Sequence, residues 1–239
     1  MPRWLSSIRF ALWFAAVFSE ALNISNTRAS NELKTANFVV GFMLSSFGAF
    51  RYNSCNGEVV REAIFVESIG VISDTHGDLY SWQKARKLWG DVELVLHAGD
   101  VLGHLGQEAS DHLANEMNEL PVPLLIARGN CDRDEDQERL RWPLLSPYVI
   151  LWWHGRTIFM AHGQIFSQVR DWARAFSPSL VVTGHTHVAS LVREGPTLYL
   201  NPGSASTPRG RDPAGVAIIT RESVELVTLE GFQLHVERW

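Results

Sequence analysis

Ile69-Gly-Val-Ile-Ser-Asp-Thr-His-Gly-Asp78 is the stretch from which the rest of the chain can be read. It begins as a short apolar run of strand length and ends in a polar tail. In that tail Asp74 and His76 stand two apart, and in extended chain two-apart side chains project to the same side. From Leu79 to Trp89 the apolar residues fall at helical spacing. Glu93-Leu-Val-Leu-His97 then reads as a second strand, ending at Gly99-Asp100. Gln107 to Asn118 reads as a helix, with Leu113 and Met117 four apart. Val122-Pro-Leu-Leu-Ile-Ala127 reads as a third strand, ending at Arg128-Gly129-Asn130. Strand, helix, strand, helix, strand in this order implies a parallel sheet covered by helices.

The second half has a different texture. Tyr148 to Trp153 and Thr157 to Ala161 flank the turn-like His154-Gly155-Arg156. A helix is expected over Ile165 to Ala175 and a strand over Leu180 to Thr183. Short strands follow at Ala189 to Arg193, Thr197 to Leu200, Gly215 to Thr220, Ser223 to Thr228 and Phe232 to Val236. Their number suggests a second, mixed or antiparallel sheet packed on the first, with helices outside. If Tyr148 to Trp153 is a strand, one ring of the Trp152-Trp153 pair points outward, where it could mark a subunit contact.

The chemically interesting residues sit just past strand ends: Asp74 and His76, then Asp100, Asn130, His162, His185 and His187. In open α/β sheets, sites form outside the carboxyl ends of the strands. Two carboxylates, one amide and four imidazoles from five loops therefore converge on one edge. These hard-to-borderline donors suit Mn, Zn, Fe or Ni. Asp74-Thr-His76 and His185-Thr-His187 have the same two-residue spacing, and with Asp100 and Asn130 they exceed the needs of one tetrahedral ion. Taken singly, Gly-Asp and Gly-Asn are common turns; the signal lies in the ordered set.

The order Ser73-Asp-Thr-His-Gly-Asp78, Gly99-Asp100, Gly129-Asn130, His162-Gly163 and Gly184-His-Thr-His187 resembles the calcineurin-like metallophosphoesterase superfamily over about residues 68 to 239. Gly129-Asn-Cys-Asp132 and Asn201-Pro-Gly-Ser204 look like its small YfcE-type phosphodiesterase branch. The resemblance implies a four-layer α/β/β/α sandwich and a centre of two divalent metal ions, Mn2+ first, with Ni2+, Zn2+, Fe2+ or Mg2+ as alternatives. It assigns Asp74, His76 and His187 to one ion, Asn130, His162 and His185 to the other, and Asp100 as a bridge. Hydrolysis would use a hydroxide held between the ions, since a bound divalent ion lowers the pKa of its water from about 15.7 toward 7. Asp100, His185 and Asn130 would act through the metals and by positioning substrate.

Many relatives carry a histidine directly after the Gly-Asn as a proposed general acid. Cys131 stands there instead, which leaves the general acid open, with Asp132 as a weak candidate. Around the site, Asn201 and Gly203 are expected to buttress the metal loops, and His97, His104 and Cys131 to stand behind them or at the rim. Arg128 and Arg209 could meet a phosphate, since arginine matches it bidentately.

Of the 239 residues, 46% are hydrophobic and 20% charged, an ordinary globular composition, and the formal net charge is -5. A pI near 6.0 argues against non-specific nucleic-acid binding. The two cysteines, Cys55 and Cys131, form neither a CxxC pair nor a disulfide framework. Residues 1–67 read as a poorly structured extension, or as a start placed too far upstream. Arg3 and Arg9 ahead of the apolar Phe10 to Phe18, and Ser19-Glu-Ala21 after it, look partly like an export signal. That run falls short of the roughly 20 apolar residues that span a bilayer. The expected protein is a cytoplasmic hydrolase of a small phosphodiester, without specific nucleic-acid binding, and with a homo-oligomer open. Export is the alternative if residues 1–21 act as a signal. A phosphomonoesterase or nucleotide hydrolase on the same fold is the second reading. A non-catalytic protein-binding scaffold is the third, and it would be expected to have lost ligands that this chain keeps.

Overall fold

The structure is a computed structural model. It describes residues 67–239 other than 104 and 105, together with the backbone of three strands, β1 (Val40–Leu44), β2 (Ala49–Cys55) and β3 (Glu58–Ile64). These three fall inside the stretch read as an extension; β1 pairs in parallel with a later strand, and β2 and β3 form an antiparallel pair of their own. The signal-like residues 1–21 and His104 lie outside the described residues. Among the described residues, no helix is long and apolar enough to cross a membrane.

The chain then runs β4 (Ser68–Ile72), α1 (Leu79–Trp89), β5 (Leu94–His97), α2 (Gln107–Asn118), β6 (Leu124–Ala127), α3 (Asp134–Arg139), β7 (Leu144–Leu145), β8 (Val149–Trp153), β9 (Arg156–Met160), α4 (Phe166–Phe176), β10 (Leu180–Val182), β11 (Ala189–Glu194), β12 (Thr197–Pro202), β13 (Gly215–Thr220), β14 (Ser223–Thr228) and β15 (Gln233–Arg238). One sheet has the order β15-β14-β13-β4-β5-β6-β7, the other β1-β8-β9-β10-β12-β11. Strands β4 to β7 are parallel, as the alternation with helices requires.

Period-two alternation sorts the side chains into three cores. Ile69 and Val71 of β4, Leu94 and Leu96 of β5, Ile158 and Met160 of β9 and Leu180 and Val182 of β10 point between the sheets. Their alternates face the helices: Ile72 and Val95 pack with Trp82, Ala85, Leu113 and Met117 of α1 and α2. Phe159 and Val181 pack with Val169 and Ala173 of α4. The result is four layers, α/β/β/α.

The paired α1 and α2 span the residues read as helical from spacing alone. Asp78 caps α1, accepting from Tyr80 N–H at 3.1 Å and Ser81 Oγ at 2.5 Å. The structure adds α3 and β7, whose six and two residues are too short for periodicity to mark. It also corrects the placement of the last strands. β13, β14 and β15 do not extend a second sheet; β13 lies antiparallel to β4 and makes the first sheet mixed. Without it, β4 would be an open edge beside the site, with unpaired backbone groups.

Candidate metal centre

All seven candidate ligands lie past the carboxyl ends of β4, β5, β6, β9 and β10, and the structure brings them to one place. Backbone bonds join the loops. Asp74 N–H donates to Gly99 O at 3.0 Å, His76 N–H to Asp100 O at 3.0 Å and Gly77 N–H to Val101 O at 2.9 Å. Within the second sheet Gly184 N–H donates to His162 O at 2.9 Å, and across the two sheets Ala205 N–H donates to Ser73 O at 3.1 Å. These bonds hold an unusual backbone. Asp74, His76, Asp100, His185 and His187 have φ of 53°, 48°, 55°, 67° and 60°. Left-handed conformations of this kind are uncommon outside glycine and collect where function requires them.

The loops approach so closely that two positions admit only glycine. A Cβ on Gly129 would lie 2.1 Å from Asp100 Oδ1, and one on Gly184 1.9 Å from Ser73 Oγ and 2.6 Å from Asp74 Oδ2.

The side chains form two groups. In the first, His187 Nε2 lies 3.2 Å from Asp74 Oδ1 and 3.3 Å from His76 Nε2, and all three residues are buried. In the second, His162 Nε2 lies 3.2 Å from Asp100 Oδ2 and 3.2 Å from Asn130 Oδ1, and His185 Nδ1 lies 2.9 Å from the same Asn130 oxygen. Ligand atoms of Asp74, Asp100 and His162 lie within 4.8 Å of one another, which joins the groups.

This donor set fits cations. His187 Nδ1 donates to Thr207 O at 2.8 Å and His162 Nδ1 to Ala98 O at 2.7 Å, and a carbonyl can only accept. In the neutral ring each Nε2 therefore offers a lone pair, aimed at a carboxylate oxygen and a further nitrogen or amide oxygen. Convergent acceptors without hydrogens between them repel unless a positive charge sits among them. Metal-binding imidazoles characteristically donate their other N–H to a carbonyl in this way. Without metal, protons answer the same demand. Burial lowers the His162 pKa, but its hydrogen bond to Asp100 and that carboxylate's charge outweigh burial and raise it. Asp100 shows the reciprocal effect: burial would raise its carboxyl, yet His162 and the Cys131 N–H at 2.7 Å hold it well below the usual range. For Asp74, burial dominates and raises the carboxyl, offset in part by Ser73 Oγ–H donating at 2.5 Å. His185 is lowered by burial and by the neighbouring His162.

The residues around this centre act mainly on its backbone. Asn201 Nδ2 donates to Gly184 O at 2.7 Å and Thr186 Oγ1 at 3.0 Å, while its Oδ1 accepts from Gly203 N–H at 2.9 Å. His97 Nδ1 accepts from Gly99 N–H at 3.1 Å, so its Nε2–H donates to Thr75 Oγ1 at 3.0 Å, and Thr75 donates to Val101 O at 2.8 Å. That chain needs a neutral ring. Burial, then the charge of His162, pushes the His97 pKa down to about 3.

Cys131 is half-buried. Burial and then the hydrogen bond and charge of Asp100 push its thiol up to about 12, so it stays protonated at neutral pH. Arg128 does not face the centre freely: Nε and Nη2 donate to Asp132 O at 3.2 and 3.1 Å, and Nη1 pairs with Asp134 at 2.8 Å. Arg209 meets the site through its backbone, N–H to His187 O at 2.8 Å.

Sequence reasoning undervalued Asp132. Its carboxylate is 4% exposed and accepts from Gly129 N–H at 2.8 Å, Asp100 N–H at 2.9 Å and Val101 N–H at 2.7 Å. It clamps the Asp100 and Asn130 loops together, and it faces backbone amides where a general acid would face the substrate. Ser206 and Thr207 were missed, while Ser204 belongs to the quoted Asn201-Pro-Gly-Ser204 turn. Ser204 and Ser206 donate to Asp74 O at 2.8 and 2.9 Å, and Thr207 supplies the carbonyl that orients His187. The only signal for Ser206 and Thr207 was proximity in sequence to the Asn201-Pro-Gly-Ser204 turn.

Comparison with known proteins identifies the family of the chain. A family model described as the calcineurin-like phosphoesterase superfamily domain matches residues 68–223. The chain is 27% identical over 165 residues to phosphodiesterase YfcE of Escherichia coli strain K12, covering 66% of this chain and 89% of that protein. It is 30% identical over 161 residues to the probable metallophosphoesterase YsnB of Bacillus subtilis, covering 64% and 83%. A solved structure of the Escherichia coli phosphoesterase Yfce superposes with a TM-score of 0.61 at 22% identity, over 72% of this chain and 98% of that one.

Proposed function

Since the chain belongs to the calcineurin-like phosphoesterase superfamily, we propose that it is a phosphodiesterase working with two divalent metal ions, Mn2+ foremost. Asp74, His76 and His187 would hold one ion, Asn130, His162 and His185 the other, and Asp100 would serve both. The observation that carries this reading is the convergence of acceptor atoms, with two imidazoles anchored by their far N–H to Thr207 O and Ala98 O. When bound, such ions supply Lewis acidity, which acidifies water and offsets negative charge on phosphoryl oxygens. The relatives named as phosphodiesterases support the diester as substrate.

The chain's own groups set the rest. Burial of Asp74, His76, Asp100, His162 and His187 keeps bulk water from competing for the donors. Asn130 is exposed and His185 only half-buried, so the substrate enters on their side. The Cys131 thiol, next to Asn130, lacks the reach and the positive charge with which an imidazolium would protonate a leaving group. Diesters with good leaving groups are therefore the better substrates. The test is to strip the full chain of metal, restore Mn2+, and assay a chromogenic phosphodiester beside its monoester. Metal-dependent diester cleavage, lost in Asp100→Ala and His76→Ala, is expected. Metal binding without turnover of either compound would refute the catalytic reading.

A further inference from the structure

Beside the proposed metal ligands lies a cavity that they do not use. It is a cleft of about 70 Å³, open to solvent, between α4 and the ends of β6 and β7. Its walls include Arg128, Pro147, Gly163, Ile165, Gln168 and Trp172. Two of them adjoin the metal centre along the chain: Arg128 precedes Gly129-Asn130, and Gly163 follows His162. The cleft therefore opens on the same sheet edge, on the side of the Asn130–His162–His185 group.

We propose that this cleft is the subsite for the ester group that stays on phosphorus during hydrolysis, a small planar or aromatic group. The proposal rests on the phosphodiesterase reading and names what the second ester bond must carry.

The lining argues for the class. Trp172 is held from behind, its ring 5.0 Å from Tyr148 and 5.9 Å from Phe159, so it offers a rigid wall. Ile165 is 57% exposed, apolar surface that a bound group would remove from water. Gln168 is exposed on the same wall and can satisfy the polar edge of a ring. The one cation, Arg128, is already neutralised by Asp134 at 2.8 Å and committed to Asp132 O. The cleft is thus not a second anion site, which would favour a more highly charged monoester. At about 70 Å³ it is far smaller than pockets that enclose a whole ligand, about 300–1,000 Å³, so it takes one small group and excludes a long chain. A monoester leaves this cleft empty and a diester fills it, so the cleft supplies discrimination between them.

Gln168→Trp on the exposed face of α4 fills the cleft without touching the core, and Ile165→Ser removes an apolar wall at an exposed position. Both are tested in the full chain with Mn2+, by hydrolysis of bis(4-nitrophenyl) phosphate and 4-nitrophenyl phosphate and by calorimetric binding of diphenyl phosphate and inorganic phosphate. Each variant should lower the diester-to-monoester ratio of kcat/KM by about tenfold, the scale of discrimination in apolar pockets. Diphenyl phosphate should weaken in parallel, while inorganic phosphate binds as before. A ratio unchanged within about twofold in both variants, or equal losses on diester and monoester, overturns the proposal. If the unmodified chain hydrolyses neither compound, the catalytic reading fails separately. Binding then decides on the cleft: selective loss of diphenyl phosphate supports it, and unchanged affinity rejects it.

Discussion

Replacing Asp132 by asparagine preserves volume and tests whether this carboxylate organises the centre. Oδ2 accepts from Gly129 and Asp100 N–H, and Oδ1 from Val101 N–H. An amide can place its oxygen at the Oδ2 position and keep two of these bonds. Its NH2 then faces the Val101 N–H, donor against donor. The loss is one hydrogen bond to a charged group plus one buried N–H left unsatisfied, which together cost about 2–4 kcal/mol. Because the two bonded loops carry Asp100 and Asn130, metal affinity should fall by about 10–100-fold, the usual effect of removing a group that orients ligands. Asp134→Ala is the control. That side chain is 88% exposed and its pair with Arg128 is a surface ion pair, so the change should cost less than about 1 kcal/mol and leave metal affinity intact. Urea unfolding of the metal-free chain gives the stability, and titration with Mn2+ gives the affinity. If Asp132→Asn proves no more destabilising than Asp134→Ala, the clamp assigned here does not exist.

Gly184→Ala puts a methyl 1.9 Å from Ser73 Oγ, so the Ser73–Asp74 hydrogen bond must break or the loops must separate. Metal retained after gel filtration, read by elemental analysis, should drop at least about tenfold, and full retention would contradict the packing described. Asn201→Ala removes a buried amide that bonds Gly184, Thr186 and Gly203, at about 1–3 kcal/mol; a thermal midpoint equal to that of the parent chain would count against its buttressing role. His97 yields a pH prediction. Its pKa is about 3 in the folded chain and about 6.5 unfolded, so only the unfolded chain takes up a proton between those values. Its contribution to stability is complete above pH 6.5 and declines as pH falls toward 3, by up to about 1.4 kcal/mol per pH unit. His97→Gln cannot titrate, and the difference between parent and variant unfolding curves over this window should show that slope; parallel curves would exclude it.

Much of the site was legible in the sequence because a parallel α/β order sends successive strand ends to one edge. Ser73-Asp-Thr-His76, Gly99-Asp100, Gly129-Asn130, His162-Gly163 and Gly184-His-Thr-His187 each follow a run whose apolar pattern announces a strand. Once those strands share a sheet edge, the polar residues meet. The α1 and α2 helices were equally legible, since their buried residues repeat at helical spacing.

Other features had no local signal. Nothing in the alternation of β13 says that it pairs with β4, because Ala217 and Ile219 would serve any sheet with an apolar face; the choice depends on which edge remains open when the chain returns. Asp132 also looks like an ordinary turn residue, and His97, though expected behind the metal loops or at their rim, has no partner that the sequence shows. Their roles come from bonds to N–H groups and hydroxyls on separate loops, as between Asp132 and Val101 or His97 and Thr75. The sequence by itself determined which donors reach the edge, because strand order and side-chain period are local properties. Only the tertiary structure decided which donors face one another, at what tautomer and with what backbone strain, because those depend on hydrogen bonds between segments as far apart as Asp74 and Ser204.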